Sequence, residues 1–463
     1  MKSFRLLLGC YLLSLAFGVQ SAAVNFVPQV EFEVDYVDNI DLAKSGGRDD
    51  LVAQINPEFL LEVASSRIEV QADYRLQNLV YTSYSDLNET YQQFHGNAAV
   101  DIIPSKLKLN SIASYDQQII SFDRPTGTDN LTGADNTTNR GILGLSPVWT
   151  TNVTDRLIAE VSAGYYRVTD ETDSDSYNYG ITIYPFANKS PLDWRITGNL
   201  RDVDYDNHQA RDSSRGAVSF AYPLTNSLSA VSEIGYESDE FDNGLFTRSD
   251  SGSIFIAGLT WLRKGEVTIN LNYENHYYGN FGSGSVYFKR SRMAYKLSYT
   301  EDVTTDLDQD IGNLTGGGDS IPSPVEGDST GIFLQKTFQA SATYFYERGS
   351  IDLGARLDKR RNGTNLFIPG RLINPDEDFL ELNANWSHQL TLRHVLTMGI
   401  LKRDRDVSRG SHDKDYIFNT ALDYQINPML SGKFFYTSNQ RNSNFRNSEY
   451  DSSIVGASIN VLF

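Results

Sequence analysis

Charged side chains recur at every second position in several stretches of this chain. That spacing decides what chemistry they can do. Glu31, Glu33 and Asp35 make one such run, and Glu69, Asp73 and Arg75 make another. Asp193, Arg195 and Arg201 follow, then Lys289, Arg356, Arg403 and Arg405. Residues two apart on an extended strand share a face, so each run lays a row of ionised groups along one side. Acids and bases both occur, which describes neither a cation filter nor an anion filter. Such rows suit a hydrated, mixed-charge wall past which a large hydrophilic solute, including an anionic one, slides. Opposed charges that simply pair and stiffen a wide wall explain the same rows.

Other chemistry is poorly served. The histidines, His95, His208, His276, His388, His394 and His412, show no metal-ligand spacing. There is no Gly-x-Ser-x-Gly elbow and no phosphate loop. No catalytic residue, metal site or cofactor is expected, and the chain is read as a non-enzyme. Cys10 is the only cysteine, so beyond it disulfides, thiolate metal sites and cysteine nucleophiles are excluded. The formal charge of −19 becomes about −21 once Lys2 and Arg5 are removed. Nucleic acid is therefore not an expected partner, because phosphate binding needs clustered Lys and Arg.

The elements that position these rows begin after a leader. Lys2 and Arg5, an apolar run from Leu6 to Phe17 and small residues up to Ala23 describe a secretory signal peptide, assigned to residues 1–22. Residues 23–463 are read as one domain. Its C-terminus alternates, with Val455, Ala457, Ile459, Val461 and Phe463 on one face and Ile454, Gly456, Ser458, Asn460 and Leu462 on the other. A terminal strand with one apolar face, closed by an aromatic, resembles the last strand of bacterial outer-membrane barrels, where Phe463 would be the signal read by the barrel-assembly machinery. The same alternation runs through Ile68–Gln77, Val267–Glu274 and Tyr416–Gln425. No apolar run after the leader is long enough for a spanning helix.

The connections separate a membrane barrel from a soluble sandwich. Short turns near Ser65, Ser105, Asp155, Lys189, Thr225, Lys264, Glu301–Thr304, Arg348, Leu392 and Pro428 alternate with longer polar loops. The longer loops include Ser121–Asn139, Asp239–Asp250, Thr315–Thr330, Lys359–Glu377 and Asn439–Tyr450. Tight periplasmic turns and long outer loops are the asymmetry of outer-membrane barrels. About 21 strands are recognisable, and an even number is required when both termini lie in the periplasm. A poorly patterned strand at Thr305–Leu314 restores parity. The fold class is thus all-β, a transmembrane antiparallel up-and-down barrel of the outer membrane with about 22 strands, 18 to 22 being the range. Such a cylinder is on the order of 44 Å across, wide enough for an aqueous channel. The loops at Gly316–Pro324 and Lys359–Pro375 are candidates to narrow it.

Three basic clusters, Lys289–Arg292, Lys359–Arg361 and Lys402–Arg405, are placed toward the outer halves of strands, where ordinary headgroup-level anchoring is the simpler reading and contact with lipopolysaccharide phosphates or an acidic polymer the functional one. Tyr165, Tyr166, Tyr184, Trp194, Trp261, Tyr277 and Tyr278 belong mostly to interfacial girdles. The acidic stretches Asp170–Asp175 and Glu237–Asp242 read as solvated loops.

The segments Val30-Glu31-Phe32, Tyr36-Val37-Asp38-Asn39-Ile40-Asp41-Leu42, Arg48-Asp49-Asp50-Leu51-Val52, Ile55-Asn56-Pro57, Arg67-Ile68 and Tyr74-Arg75-Leu76 carry a further signal. Together they resemble the outer-membrane β-barrels encoded with bacterial exopolysaccharide and exosortase (PEP-CTERM) systems. The resemblance implies a conduit exporting an extracellular polysaccharide, as in biofilm formation. Its partners would be outer-membrane lipid and lipopolysaccharide, the polysaccharide, and periplasmic and inner-membrane export components. A general or small-solute porin, and a non-transporting structural barrel or adhesin, are the alternatives.

Overall fold

The computed structural model describes residues 22–463 apart from 128, 134–135, 171–172, 187–191, 207–208, 243–246, 264, 306–308, 310–331, 362–375, 409 and 446–447. The leader assigned to residues 1–22 therefore lies almost wholly outside the described residues. The strands are β1 (Ala23–Val37), β2 (Asp50–Ala64), β3 (Ile68–Tyr81), β4 (Glu89–Ile103), β5 (Leu107–Ile119), β6 (Thr137–Thr154), β7 (Leu157–Thr169) and β8 (Ser174–Pro185). Next come β9 (Asp193–Tyr205), β10 (Gln209–Pro223), β11 (Leu228–Asp242), β12 (Thr247–Arg263), β13 (Val267–His276), β14 (Gly279–Arg290) and β15 (Met293–Thr305). The last are β16 (Ile332–Tyr346), β17 (Gly349–Arg361), β18 (Glu377–Thr391), β19 (His394–Val407), β20 (His412–Asn427), β21 (Leu430–Ser443) and β22 (Tyr450–Leu462).

Each strand pairs antiparallel with its sequence neighbours, and β1 pairs with β22, closing a 22-stranded barrel. At the seam Gln29 faces Leu462 and Val37 faces Ile454. The Phe463 amide donates to the Pro28 carbonyl at 3.0 Å, so the last residue completes the seam ladder. Closure leaves no unpaired sheet edge, which the interior of a membrane requires.

Alternation decides which side chains meet lipid. On β1, Phe32, Val34 and Tyr36 are exposed, while Asp35 and Val37 between them are fully buried. On β22, Val455, Ile459 and Phe463 are exposed, whereas Ile454 and Ser458 are buried. A continuous exposed belt of Leu, Ile, Val, Phe and Tyr with a polar interior is stable only when hydrocarbon surrounds it. The protein is an outer-membrane barrel. All four tryptophans, Trp149, Trp194, Trp261 and Trp386, lie on outward positions near one end of β6, β9, β12 and β18. That end also carries both termini and the short turns, so it faces the periplasm, and the indoles mark its lipid interface. Tyr346, Trp386 and His388 stack there, with the Trp386 indole N–H donating to Tyr346 Oη at 2.8 Å.

The strand count agrees with the sequence, but parity is restored elsewhere. Two tight turns, Tyr277-Tyr278 and Ser291-Arg292, divide residues 267–305 into β13, β14 and β15. Ser291 takes a positive φ of 49°, a conformation with no distinctive sequence signal when glycine is absent. The turn expected at Glu301–Thr304 is absent, because β15 runs through it. The strand expected at Thr305–Leu314 is not formed at its start: Thr305 ends β15, and most of the remainder lies outside the described residues. This change moves Lys289–Arg292 to a periplasmic turn, not the outer half of a strand. Glu237–Asp242 is likewise not a loop but the end of β11.

Candidate functional site at the barrel mouth

Glu31, Glu33, Glu69, Asp73, Arg75, Arg195, Arg201, Arg356, Arg403 and Arg405, expected along the wall, all stand on the faces opposite the exposed apolar rows. Arg75 bridges two neighbouring strands, 2.7 Å from Glu31 and 3.1 Å from Glu58. Glu33 and Asp35 converge on one donor, Gln54 Nε2, at 2.8 and 2.6 Å. Asp73 meets His95 at 3.1 Å, and the other ring nitrogen of His95 lies 2.7 Å from Asp116. Glu69 stands apart near the periplasmic end of β3. Arg195 packs over the Tyr184 ring at 5.7 Å, while Arg201, higher on β9, donates to Ser176. Arg356 is buried against Asp358, and Arg403 bonds Glu381 at 2.9 Å.

Arg405 leads to the feature that shapes the mouth. It contacts Glu377 on β18, Asp413 on β20 and Asp123 in the β5–β6 connection, residues 120–136. That connection does not project outward. It folds across the extracellular end of the lumen, from β5 past the β22–β1 seam to β19. Arg441 donates to the Phe122 carbonyl and to Thr126 Oγ1. The Thr126 carbonyl accepts from Tyr450 Oη and Asn439. On the other flank, Asn130 donates to Gln77 at 2.8 Å and Tyr81 Oη to the Leu131 carbonyl at 2.9 Å. Leu131 joins a buried apolar cluster of Val37, Ile40, Val52, Leu79, Tyr81 and Ile454 inside the mouth. Burying one leucine is worth roughly 1.5–3 kcal/mol, enough to hold a polar loop inward. Gly133 sits at φ +65°, and a Cβ there would lie 2.8 Å from Leu42, so that position needs glycine.

Between β15 and β16 one further residue is described. Gln309 is buried, accepting from Arg360 at 3.0 Å and donating to Gln335. The segments expected to narrow the channel, Gly316–Pro324 and most of Lys359–Pro375, lie outside the described residues.

On the opposite wall His276 is held between Glu237 at 2.8 Å and Glu274 at 3.2 Å, and stacks on Tyr278 and Phe281. Arg211 and Tyr277 share Asp239 at 2.7 and 2.8 Å. Burial, reinforced by Asp239, pushes the Tyr277 phenol well above its ordinary range, so Tyr277 stays a neutral donor. These groups are mutually satisfied and form a rigid rim.

Among the described residues one group has metal-ligand reach: Asp404, Asp406 and His412, whose ligand atoms fall within 4.8 Å. They occupy the outward face of β19 and β20. Both ring nitrogens of His412 face carboxylates, and Lys402 lies 3.5 Å from Asp404. The arrangement is an ion-pair cluster.

Asp123, Asn130, Leu131, Gln54, His276 and Arg441 were not singled out by alternation, which placed Gln77 on the wall face without its loop contact. Their importance comes from contacts between distant strands. The local signal was the pair of large apolar residues Phe122 and Leu131 in a Gly/Asp/Asn/Thr-rich loop.

No protein-family model matches the chain, and no curated protein does. Solved structures do. The FrpB iron transporter from Neisseria meningitidis matches 97% of this chain and 83% of its own at 8% identity, TM-score 0.54. FpvA of P. aeruginosa, solved with heterologous pyoverdines and iron, matches 95% and 72% at 11%, TM-score 0.54. The ferric-catecholate import receptor Fiu from E. coli K12 matches 95% and 82% at 9%, TM-score 0.51. At such identities the likeness establishes the barrel. It also overturns the expectation of polysaccharide export. The matched barrels are named as transporters and import receptors for iron and its chelates, and they favour neither the porin nor the structural alternative. The export partners implied by that expectation fall with it.

Proposed function

We propose that this barrel takes up a ligand from outside the cell across the outer membrane, with chelated iron as the class of cargo. The observation that carries the reading is the loop 120–136, packed into the extracellular mouth above a polar lumen. A loop packed inside the outer mouth of a cylinder this wide suits admission of a selected solute. The cargo class is supported by the solved barrels of like architecture, whose names specify iron, ferric pyoverdine and ferric catecholate. The lumenal rows of Glu, Arg, Asn and Gln offer a wet surface for a hydrophilic complex.

The test is accumulation of radioactive iron from a panel of hydroxamate, catecholate and carboxylate chelates in cells with and without the gene. Loss of accumulation from at least one chelate class, restored by the gene on a plasmid, is the expected result. Identical accumulation from every chelate, together with no chelate binding by the purified barrel, rejects the proposal.

A further inference from the structure

The two flanks of loop 120–136 are fastened by different chemistry. The β1–β3 flank is neutral and apolar: Leu131 is 5% exposed in its cluster, Asn130 holds Gln77, and the Gly133 amide donates to the Ile40 carbonyl at 3.2 Å. The β19–β21 flank is ionic. Arg405 Nη1 donates to Asp123 Oδ1 at 2.7 Å, and its guanidinium lies 5.7 Å from the centre of the Phe122 ring. Arg441, 1% exposed, donates to Thr126 and to the Phe122 carbonyl. Ser448 donates to the Asp123 carbonyl at 2.7 Å.

Three facts make Asp123 the exchangeable member of this clasp. Its side chain is 45% exposed, against 8% for Arg405 and 1% for Arg441. The wall keeps its own counter-charge, because Asp413 lies 3.5 Å from Arg405 and 3.1 Å from Arg441. Both guanidiniums therefore stay paired when Asp123 leaves, and the strands need not rearrange. Finally, the planar fork of an arginine accepts any carboxylate-like or phosphate-like oxygen pair.

We propose that Asp123 is a built-in stand-in for an oxyanionic group of the ligand. An arriving oxyanion takes the place of Asp123 on Arg405, and the loop swings away on that flank while Leu131 holds the other. The inference rests on the uptake reading and deepens it by naming the chemistry that opens the mouth. The exchange on Arg405 is one carboxylate for another oxyanion, so the ligand has to offset the hydrogen bonds that Arg441, Asn439, Tyr450 and Ser448 make to the loop, and opening answers to its concentration.

The test reads loop position by thiol labelling of the purified full barrel. The only native cysteine is Cys10, within the assigned leader, so the barrel starts free of thiols. Ser448→Cys reports from beneath the clasp, where Ser448 is 2% exposed, and Thr132→Cys from the anchored flank, where Thr132 is 3% exposed. Maleimide should label Ser448→Cys slowly. Adding Asp123→Asn should raise that rate about tenfold or more, the effect of removing one charge-assisted hydrogen bond. Citrate or inorganic phosphate should raise it with Asp123 intact, whereas chloride at the same ionic strength should not. A response to citrate alone assigns a carboxylate, and a response to phosphate alone a phosphate group. Thr132→Cys should stay slow throughout. The proposal is overturned by an unchanged Ser448→Cys rate in Asp123→Asn, by equal acceleration with chloride, or by Thr132→Cys accelerating in step. Heat-modifiable mobility confirms that each variant has folded. No iron transport enters the measurement, so a failure here leaves the uptake proposal standing, and a failure there leaves this one open to the same assay.

Discussion

Two arcs of the same wall handle charge in opposite ways. The inward positions of β1–β3 hold Glu31, Glu33, Asp35, Glu58, Glu69 and Asp73, with Arg75 as the basic side chain among them. Gln54 donates to Glu33 and Asp35, Gln29 to Glu58, and Asp73 meets His95. The inward positions of β17–β21 instead alternate Arg356, Arg360, Arg403, Arg405 and Arg441 with Asp358, Glu377, Glu381, Asp413 and Asp415. In the first arc the acids outnumber the one arginine, so the excess negative charge acts as a field on whatever passes. In the second arc charge is spent on structure, tying strands together and holding loops inward through Arg360 and Arg405.

The largest test of this contrast is Arg441→Ala. It leaves Asp413, 2% exposed, without one of its two cations, and removing one partner of a buried pair costs about 3–5 kcal/mol. The midpoint of urea unfolding should fall accordingly. Leu131→Ala should come next, at about 2–4 kcal/mol for a leucine lost from a packed cluster, confined to the loop. Faster amide exchange at Gly133, with global unfolding unchanged, is the expected signature.

Arg75→Gln should cost less, about 1 kcal/mol, because its pairs are partly solvated. Its clearer effect should be on permeation, with conductance in planar bilayers shifting toward cations as the acidic arc loses its counter-charge. A stability loss as large as that of Arg441→Ala would erase the distinction between the arcs.

The smallest effect concerns the β1–β2 connection at the edge of the acidic arc. The side-chain hydrogen bond from Arg48 holds the Asp41 carboxyl below the usual carboxylate range. A lowered folded-state value means the contribution is present above an ordinary carboxylate pKa of about 4 and disappears as pH falls through the lowered value. The Ile40 amide, which donates to the Arg48 carbonyl at 2.9 Å, should exchange faster in that acid window alone, after correction for intrinsic rates. Asp41→Asn should abolish the pH dependence.

Much of the barrel was legible because a strand's side-chain period is local. The alternation at Glu31–Asp35 or Val455–Phe463 needs no partner to be seen, and turn residues such as Ser65-Ser66 and Pro104-Ser105 mark the hairpins. The β14–β15 turn was not legible, since a single serine between Arg290 and Arg292, without Gly, Pro or Asn, is a weak turn signal. Its position is imposed by pairing, Arg290 with Met293 and Gly284 with Tyr299.

The candidate site was the less legible part. By itself the amino-acid order determined a closed, lipid-facing cylinder and the face on which each charged row lies, because both follow from spacing along one chain. Only the tertiary structure decided that Arg405 meets Asp123, 282 residues earlier, and that Arg441 meets Phe122 and Thr126 of the same loop. The physical reason is that closing the β1–β22 seam brings β5 and β19 to one mouth, and contacts across that gap depend on curvature and register, which no local pattern encodes.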